Sequence, residues 1–281
     1  MEQVPLFSVI ILMYRNQEYI HDALDSVLGQ TYPAIELIVV DDHSPEADLP
    51  AIEAYVDCHK GVNIQRVEIY QNTENLGTVK SINGALKRAN GQYIKLLAAD
   101  DALYDESVLE KGRNALEQCA SGVLITQAMR CNSSLQKISL FGDEFARTLP
   151  VQSPWQTYCS LCIQNRIVSV GEFYSRSFLF EVGLFDERYR LLEDWPLWLR
   201  ISREGIPIGY APFISVNYRS DVGSASSVNR VYLEDKEKTF RYEIRPYRKQ
   251  LGNLLYARAW ITLRVRNSVM LRKVYGWLFR R

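Results

Sequence analysis

The sequence predicts an α/β protein: a doubly wound, mostly parallel sheet, an α+β region after it, and a basic helical segment at the C-terminal end. Three observations carry this. Residues 7–13 (FSVIILM) and 36–40 (ELIVV) are unbroken apolar runs that stop at polar residues, the pattern of strands buried on both faces. Helical and strand-like periodicities alternate through the first hundred residues. Charge is segregated: 240–281 hold nine arginines, two lysines and one acid, a net +10, which leaves −10 on 1–239.

Each element has its own signal. Between the two apolar runs, Ile20, Ala23, Leu24, Val27 and Leu28 recur at helical spacing, and Gln30-Thr31-Tyr32-Pro33 ends that helix in a turn. The unit then repeats as a helix over 49–58, a strand over 64–70, a helix over 78–89 and a strand over 93–98. Beyond Asp101 the pattern loosens. Helices are expected over 106–117, over 154–164 with Ser153 as cap, and over 195–204 with Asp194 as cap. A strand or hairpin over 208–218, a serine-rich loop over 220–227 and a charged segment over 232–238 follow. The expected organisation is an α/β half over 1–104, an α+β region over 105–227, and a basic amphipathic segment over 228–281.

A chain of 281 residues, 47% hydrophobic and 23% charged, can bury a sizeable core and is neither collagen-like nor wholly disordered. Five scattered cysteines outline no disulfide framework, and no basic-then-apolar leader opens the chain, so a cytoplasmic setting is expected. No apolar run reaches the roughly 18 residues of a spanning helix.

In doubly wound sheets, ligands sit beyond the carboxyl ends of the strands, where strand order reverses. Three polar clusters fall there: Tyr14-Arg15-Asn16, Asp41-Asp42-His43-Ser44 and Asp100-Asp101. Adjacent carboxylates raise each other's pKa unless a cation neutralises them. Asp100 and Asp101 therefore suit either a hard divalent ion bridging to substrate phosphates or the capping of the following helix. The glycine-rich loop that would cradle phosphates after strand one is missing; Leu12-Met13-Tyr14-Arg15-Asn16 stands in its place. A nucleotide held without that cradle needs a metal for its diphosphate.

These residues resemble family 2 glycosyltransferases of the GT-A fold over roughly the first 220 positions. The matching blocks are 8–44, 74–103 (through LLAADDAL), 181–189 (EVGLFDERY), 193–202 (EDWPLWLRIS) and 217–226 (NYRSDVGSAS). The resemblance implies that Tyr14 and Asp42 contact the nucleobase, that Asp100 holds the ribose, and that Asp101, with Asp100, holds Mn²⁺ or Mg²⁺. It further implies an inverting transfer in which Asp194, beside Glu193, takes the acceptor proton. Arg219 with Ser224 and Ser226 would form a loop near the donor diphosphate. Lys80 and Arg15 are candidates for the phosphates, and Trp195 for stacking on the acceptor. Two departures stand out: Ala98-Ala99 precedes the aspartates where the family often has a further Asp, and Leu12-Met13 replaces a usual Pro-Thr.

Each residue has a plainer alternative: Lys80 as a solvated helix lysine, Asp194 as a helix cap, and Trp155, Trp195 and Trp198 as core. Cys159 and Cys162 fit C-x-x-C without further zinc ligands; they and His21, His43 and His59 outline no metal site. The sequon at Asn132 carries no argument. The basic segment, with Trp260, Trp277 and several leucines among its arginines, suits either an anionic membrane surface or packing against the acidic body. Nucleic acid is disfavoured, because no recognisable binding module accompanies the charge. The expected function is transfer from a nucleotide diphosphate sugar, with UDP favoured, to a polyprenyl-diphosphate-linked oligosaccharide at the inner face of the membrane. The alternatives are a non-catalytic nucleotide-binding scaffold and, less favoured, a sugar nucleotidyltransferase.

Overall fold

A computed structural model describes residues 4–222 and 230–267. In chain order the elements are β1 (Phe7–Met13), α1 (Ile20–Leu28), β2 (Ile35–Asp41), α2 (Leu49–His59), β3 (Ile64–Gln71), α3 (Thr78–Arg88), β4 (Tyr93–Ala98) and β5 (Ala102–Leu103). They continue with α4 (Val108–Glu117), β6 (Val123–Cys131), β7 (Lys137–Phe141), α5 (Asp143–Ala146), α6 (Pro154–Ile163), β8 (Glu172–Ser175) and α7 (Arg176–Glu181). The last are α8 (Asp194–Arg203), β9 (Gly209–Arg219), α9 (Arg230–Thr239) and α10 (Arg248–Asn267), which is interrupted at Gly252.

Among the described residues the strands form one mixed sheet in the order β3-β2-β1-β4-β8-β6-β9-β5, with β7 paired to β6. The pairs β1–β2, β1–β4 and β2–β3 are parallel, and β8 joins β4 and β6 antiparallel. The chain winds outward from β1 to β3 and returns to β4 on the other side of β1. The reversal therefore lies between the ends of β1 and β4, the crevice where α/β sheets bind ligands.

The continuous apolar runs follow from burial on both faces. In β1, Phe7, Val9, Ile11 and Met13 face a core built with α1, α2 and α4, while Ile10 faces a second core with α3, α6 and α8. Leu251, Ala259 and Leu263 of α10, with Phe240 and Ile244, join that second core, so the basic segment packs on the body as far as it is described. Its charge answers that of the body in part: Arg264 pairs with Glu237 at 3.1 Å, while Glu243 takes Arg188 and Arg203 of the body.

One expectation needs correction and one alternative is resolved. The 208–218 region is the strand and not the hairpin, with β6 on one side and β5 on the other paired to it. Asp194 does not precede α8 as its cap; it is the first helical residue, and Glu193, at the cap position, makes no side-chain cap bond. Ser153, by contrast, caps α6 through a reciprocal box with Gln156. Ser224 and Ser226 lie outside the described residues.

Candidate active site

A cleft of about 1770 Å³ opens at the switch point and contains Tyr14, Asp42, Asp100, Asp101, Glu193 and Asp194 together. This exceeds the roughly 300–1,000 Å³ of a typical small-ligand pocket, which leaves room for two substrates.

β4 delivers Asp100 and Asp101. Asp101 is 2% exposed, and its Oδ1 accepts the Arg219 backbone N–H at 2.9 Å. Burial, and then the charge of Asp100, push its carboxyl up to about 8. Asp100 is half-buried, is also raised by burial, and accepts from Asn16 Nδ2 at 3.1 Å. Two crowded carboxyls that resist ionising together fit a divalent cation. No group of three or more His, Cys, Asp or Glu able to hold a metal occurs among the described residues. The other ligands would therefore be substrate phosphate and water oxygens.

Arg219 lines the cleft but is not free for a diphosphate. It is 2% exposed; Nε donates to Ser133 O at 2.8 Å, and the guanidinium also holds the Asp100 carbonyl and the Asp22 carboxylate, above the Tyr19 ring. The residue is a clamp that fixes the end of β9 to the Asp100–Asp101 turn.

On the nucleobase side Tyr14 is exposed, with the Arg15 guanidinium 5.2 Å from its ring centroid. Asp42 is buried and organises the 72–81 loop. Its Oδ1 accepts from Asn72 Nδ2, the Leu76 N–H and Ser81 Oγ; its Oδ2 accepts from the Gly77 N–H at 2.8 Å and keeps one acceptor site. Gly77 has φ +84°, and an added Cβ would stand 2.5 Å from Arg190 Cγ and 2.7 Å from Arg190 O. Gly77→Ala is therefore expected to cost about 2–4 kcal/mol in urea unfolding, since both the left-handed backbone and the Arg190 carbonyl resist a methyl group. Lys80 is exposed on α3 and absent from the cleft lining, so its placement does not serve a diphosphate there.

α8 delivers the second acid pair. Asp194 is 5% exposed, and its Oδ2 accepts Asn165 Nδ2 at 2.7 Å. Burial raises its carboxyl, while the Asn165 amide and the Trp195 N–H favour the ionised form. Glu193 is driven well above the ordinary range by burial and by Asp194. Trp195 is a core residue and not an acceptor platform: it is 6% exposed, outside the cleft lining, with Nε1 donating to Leu161 O at 2.9 Å.

Three residues that bear on this site carry no sequence signal read above. Lys95 and Glu172 are buried beneath the two acid pairs. Lys95 Nζ donates to Val170 O at 2.7 Å and to Glu172 O, and burial lowers it; burial raises the Glu172 carboxyl. Asp235 of α9 is fully buried, and its Oδ2 accepts the N–H groups of Arg190, Leu191 and Leu192, bracing the loop that leads into Glu193.

The first 158 positions after the N-terminal seven, residues 8–165, match the profile described as Glycosyl transferase family 2. An uncharacterized glycosyltransferase of Haemophilus influenzae is 28% identical over 98% of this chain and 82% of its own length. The amylovoran biosynthesis glycosyltransferase AmsE of Erwinia amylovora is 22% identical over 98% of both chains. Two Rickettsia relatives are longer, the chain spanning 59% of each. S. aureus TarS 1–349 in complex with UDP-GlcNAc superposes with a TM-score of 0.61 at 17% identity, over 95% of this chain and 82% of that one. The mannosyltransferase PcManGT of Pyrobaculum calidifontis, in complex with GDP-Man and Mn²⁺, gives 0.60 at 17%, over 98% and 79%. The sheet order and the cleft at its switch point are those of a GT-A fold, and with the family match they establish that this chain belongs to glycosyl transferase family 2.

Proposed function

We propose that the protein is an inverting hexosyltransferase that moves a sugar from a nucleoside diphosphate sugar, a UDP-sugar, to a hydroxyl of a polyprenyl-diphosphate-linked oligosaccharide in bacterial surface-polysaccharide synthesis, such as O-antigen or capsule. The observation that carries this reading is the gathering of two acid pairs, each with one buried member, Asp100–Asp101 and Glu193–Asp194, into one cleft with room for two substrates. AmsE's role in amylovoran biosynthesis and the nucleotide sugars bound by TarS and PcManGT support it.

Tyr14 and the spare acceptor site of Asp42 face the base, and Asp100 the ribose. Asp101 with Asp100 would hold Mn²⁺ or Mg²⁺, which supplies charge neutralisation for a diphosphate leaving group. Asp194 accepts the proton of the acceptor hydroxyl as that oxygen bonds to the anomeric carbon; the bond from that carbon to the diphosphate breaks on the opposite face, inverting its configuration. Burial and the charge of Asp194 favour the neutral form of Glu193, which limits the negative charge beside the base.

No helix among the described residues is long and apolar enough to cross a membrane. The outer surface of α10 exposes Leu254, Trp260 and Ile261, with Arg264 beside Trp260, and we assign it to an anionic lipid surface at the inner face of the cytoplasmic membrane.

Calorimetric titration with UDP, GDP and dTDP, each with and without Mn²⁺, tests the donor half. One nucleotide is expected to bind at least about tenfold more tightly with the metal. Binding of none would leave a scaffold protein. Binding without turnover on any UDP-sugar would do the same for the catalytic half.

A further inference from the structure

Beyond the donor and base residues, the cleft carries two cations and an apolar surface that the transfer chemistry leaves unexplained. Arg166 follows Asn165, the amide that holds Asp194. Arg258 projects from α10, which packs on α6, the helix just before Arg166. Both are exposed side chains lining the cleft. Among the described residues neither makes an ion pair or a hydrogen bond; Arg166 only overlies the Phe145 ring at 4.9 Å. Arg190 is engaged with Asn75 and Arg219 with Asp22 and Asp100, while Arg15 lies over Tyr14 on the nucleobase side. Alongside the two cations the wall is apolar, formed by Leu140, Phe145, Ile163, Val168 and Val231.

We infer that Arg166 and Arg258 form the acceptor's anion subsite and take the phosphate group of an amphiphilic acceptor whose hydrocarbon lies on the adjoining apolar wall. This rests on the reading of the cleft as a donor and acceptor site, and it names the acceptor's chemistry. Guanidinium forks match phosphate oxygens two at a time, and a cation that pairs with none of the seven carboxyl groups lining the cleft is placed for a ligand's charge. The donor phosphates belong at the other end, with Asp100 and Asp101. Because Arg166 adjoins the amide that orients the base, the phosphate stands near the attacked hydroxyl, which makes the acceptor a short glycolipid phosphate.

The test uses the full chain saturated with UDP and Mg²⁺ and titrated with geranyl phosphate, inorganic phosphate or geraniol. Geranyl phosphate is expected to bind the UDP-loaded protein, about tenfold more weakly in Arg166→Gln and in Arg258→Gln, with UDP affinity and thermal midpoint unchanged. Arg→Lys at each position should recover part of the loss, since charge returns without the fork. Inorganic phosphate should bind at least about tenfold more weakly than geranyl phosphate while remaining sensitive to both arginines. Equal affinity for inorganic phosphate would replace the lipid by a free phosphate and overturn the amphiphile. Equal affinity for geraniol, unchanged geranyl phosphate binding in both Gln variants, or its displacement by UDP would overturn the subsite. Failure of UDP itself to bind would instead sink the transferase reading, and geranyl phosphate titrated into the unliganded protein would still judge the arginine pair.

Discussion

Asp101→Asn is expected to reduce sugar transfer by on the order of 10³-fold and to remove the dependence of nucleotide binding on Mn²⁺. The side chain is 2% exposed, its Oδ1 is fixed by the Arg219 N–H, and its carboxyl stands at about 8 because burial and Asp100 both oppose its charge. An amide of the same shape keeps the hydrogen bond and discards the charge, so the fold should survive while the cation loses its anchor. The pH dependence has a definite sign. Below about 8 the carboxyl carries a proton that a metal must displace, so affinity for Mn²⁺ should fall by up to tenfold per pH unit on acidification; above that value it should level off. Mn²⁺ titration followed by electron paramagnetic resonance between pH 6 and 9 measures the slope. Calorimetry in two buffers of different ionisation enthalpy counts the proton released. A wild-type curve that is flat with pH, or an Asn variant that binds Mn²⁺–UDP as the parent does, would remove Asp101 from the metal site.

The half of the site that includes Asp101 was legible because it is local. An unbroken apolar strand followed by two aspartates places them at a sheet edge whatever the rest of the chain does, and β1, β2 and β4 lie within a residue of where hydrophobic runs put them. The same logic fails for short or mixed elements. β8 has four residues and begins with a glutamate, and β7 is mostly exposed, so neither shows a strand period. Contacts across the sequence were also illegible. Lys95 meets Glu172 across 77 positions, and Asp235 braces Arg190 across 45, pairings that no single-sequence pattern announces. Lys80, Trp195 and Arg219 illustrate the converse error. Each lies in a recognisable block, but the block fixes only the backbone. Neighbouring groups such as Leu161 O, Ser133 O and Asp22 decide where a side chain points. Of the two alternatives for the C-terminal segment, the described part shows packing on the body, through Leu251, Ala259 and Leu263.

Asp194→Asn should lower kcat by about 10²–10⁴-fold, the usual contribution of a general base, while leaving donor affinity within about twofold. A structural role predicts a different result. Asp194 opens α8 and holds Asn165, so if it served only to anchor that helix, the amide would lower the thermal midpoint and weaken donor and acceptor together. The pH profile separates the two further. Burial raises the Asp194 carboxyl, so activity should disappear on acidification at a pH above that of an ordinary aspartate, as the base takes up the proton it must be free to accept. The Asn165 amide opposes that shift by donating to the ionised oxygen at 2.7 Å. Asn165→Ala removes the donor and should therefore move the acid limb of kcat/KM upward by roughly one pH unit, the equivalent of one charge-assisted hydrogen bond. A purely structural asparagine would lower activity by the same factor at every pH. An acid limb unmoved in Asn165→Ala, together with a loss in Asp194→Asn shared between donor binding and turnover, would transfer the base's role away from Asp194. The remaining carboxyl in that part of the cleft is Glu193. Burial and its charged neighbour raise it well above the ordinary carboxylate range, which makes it the poorer of the two as an ionised base.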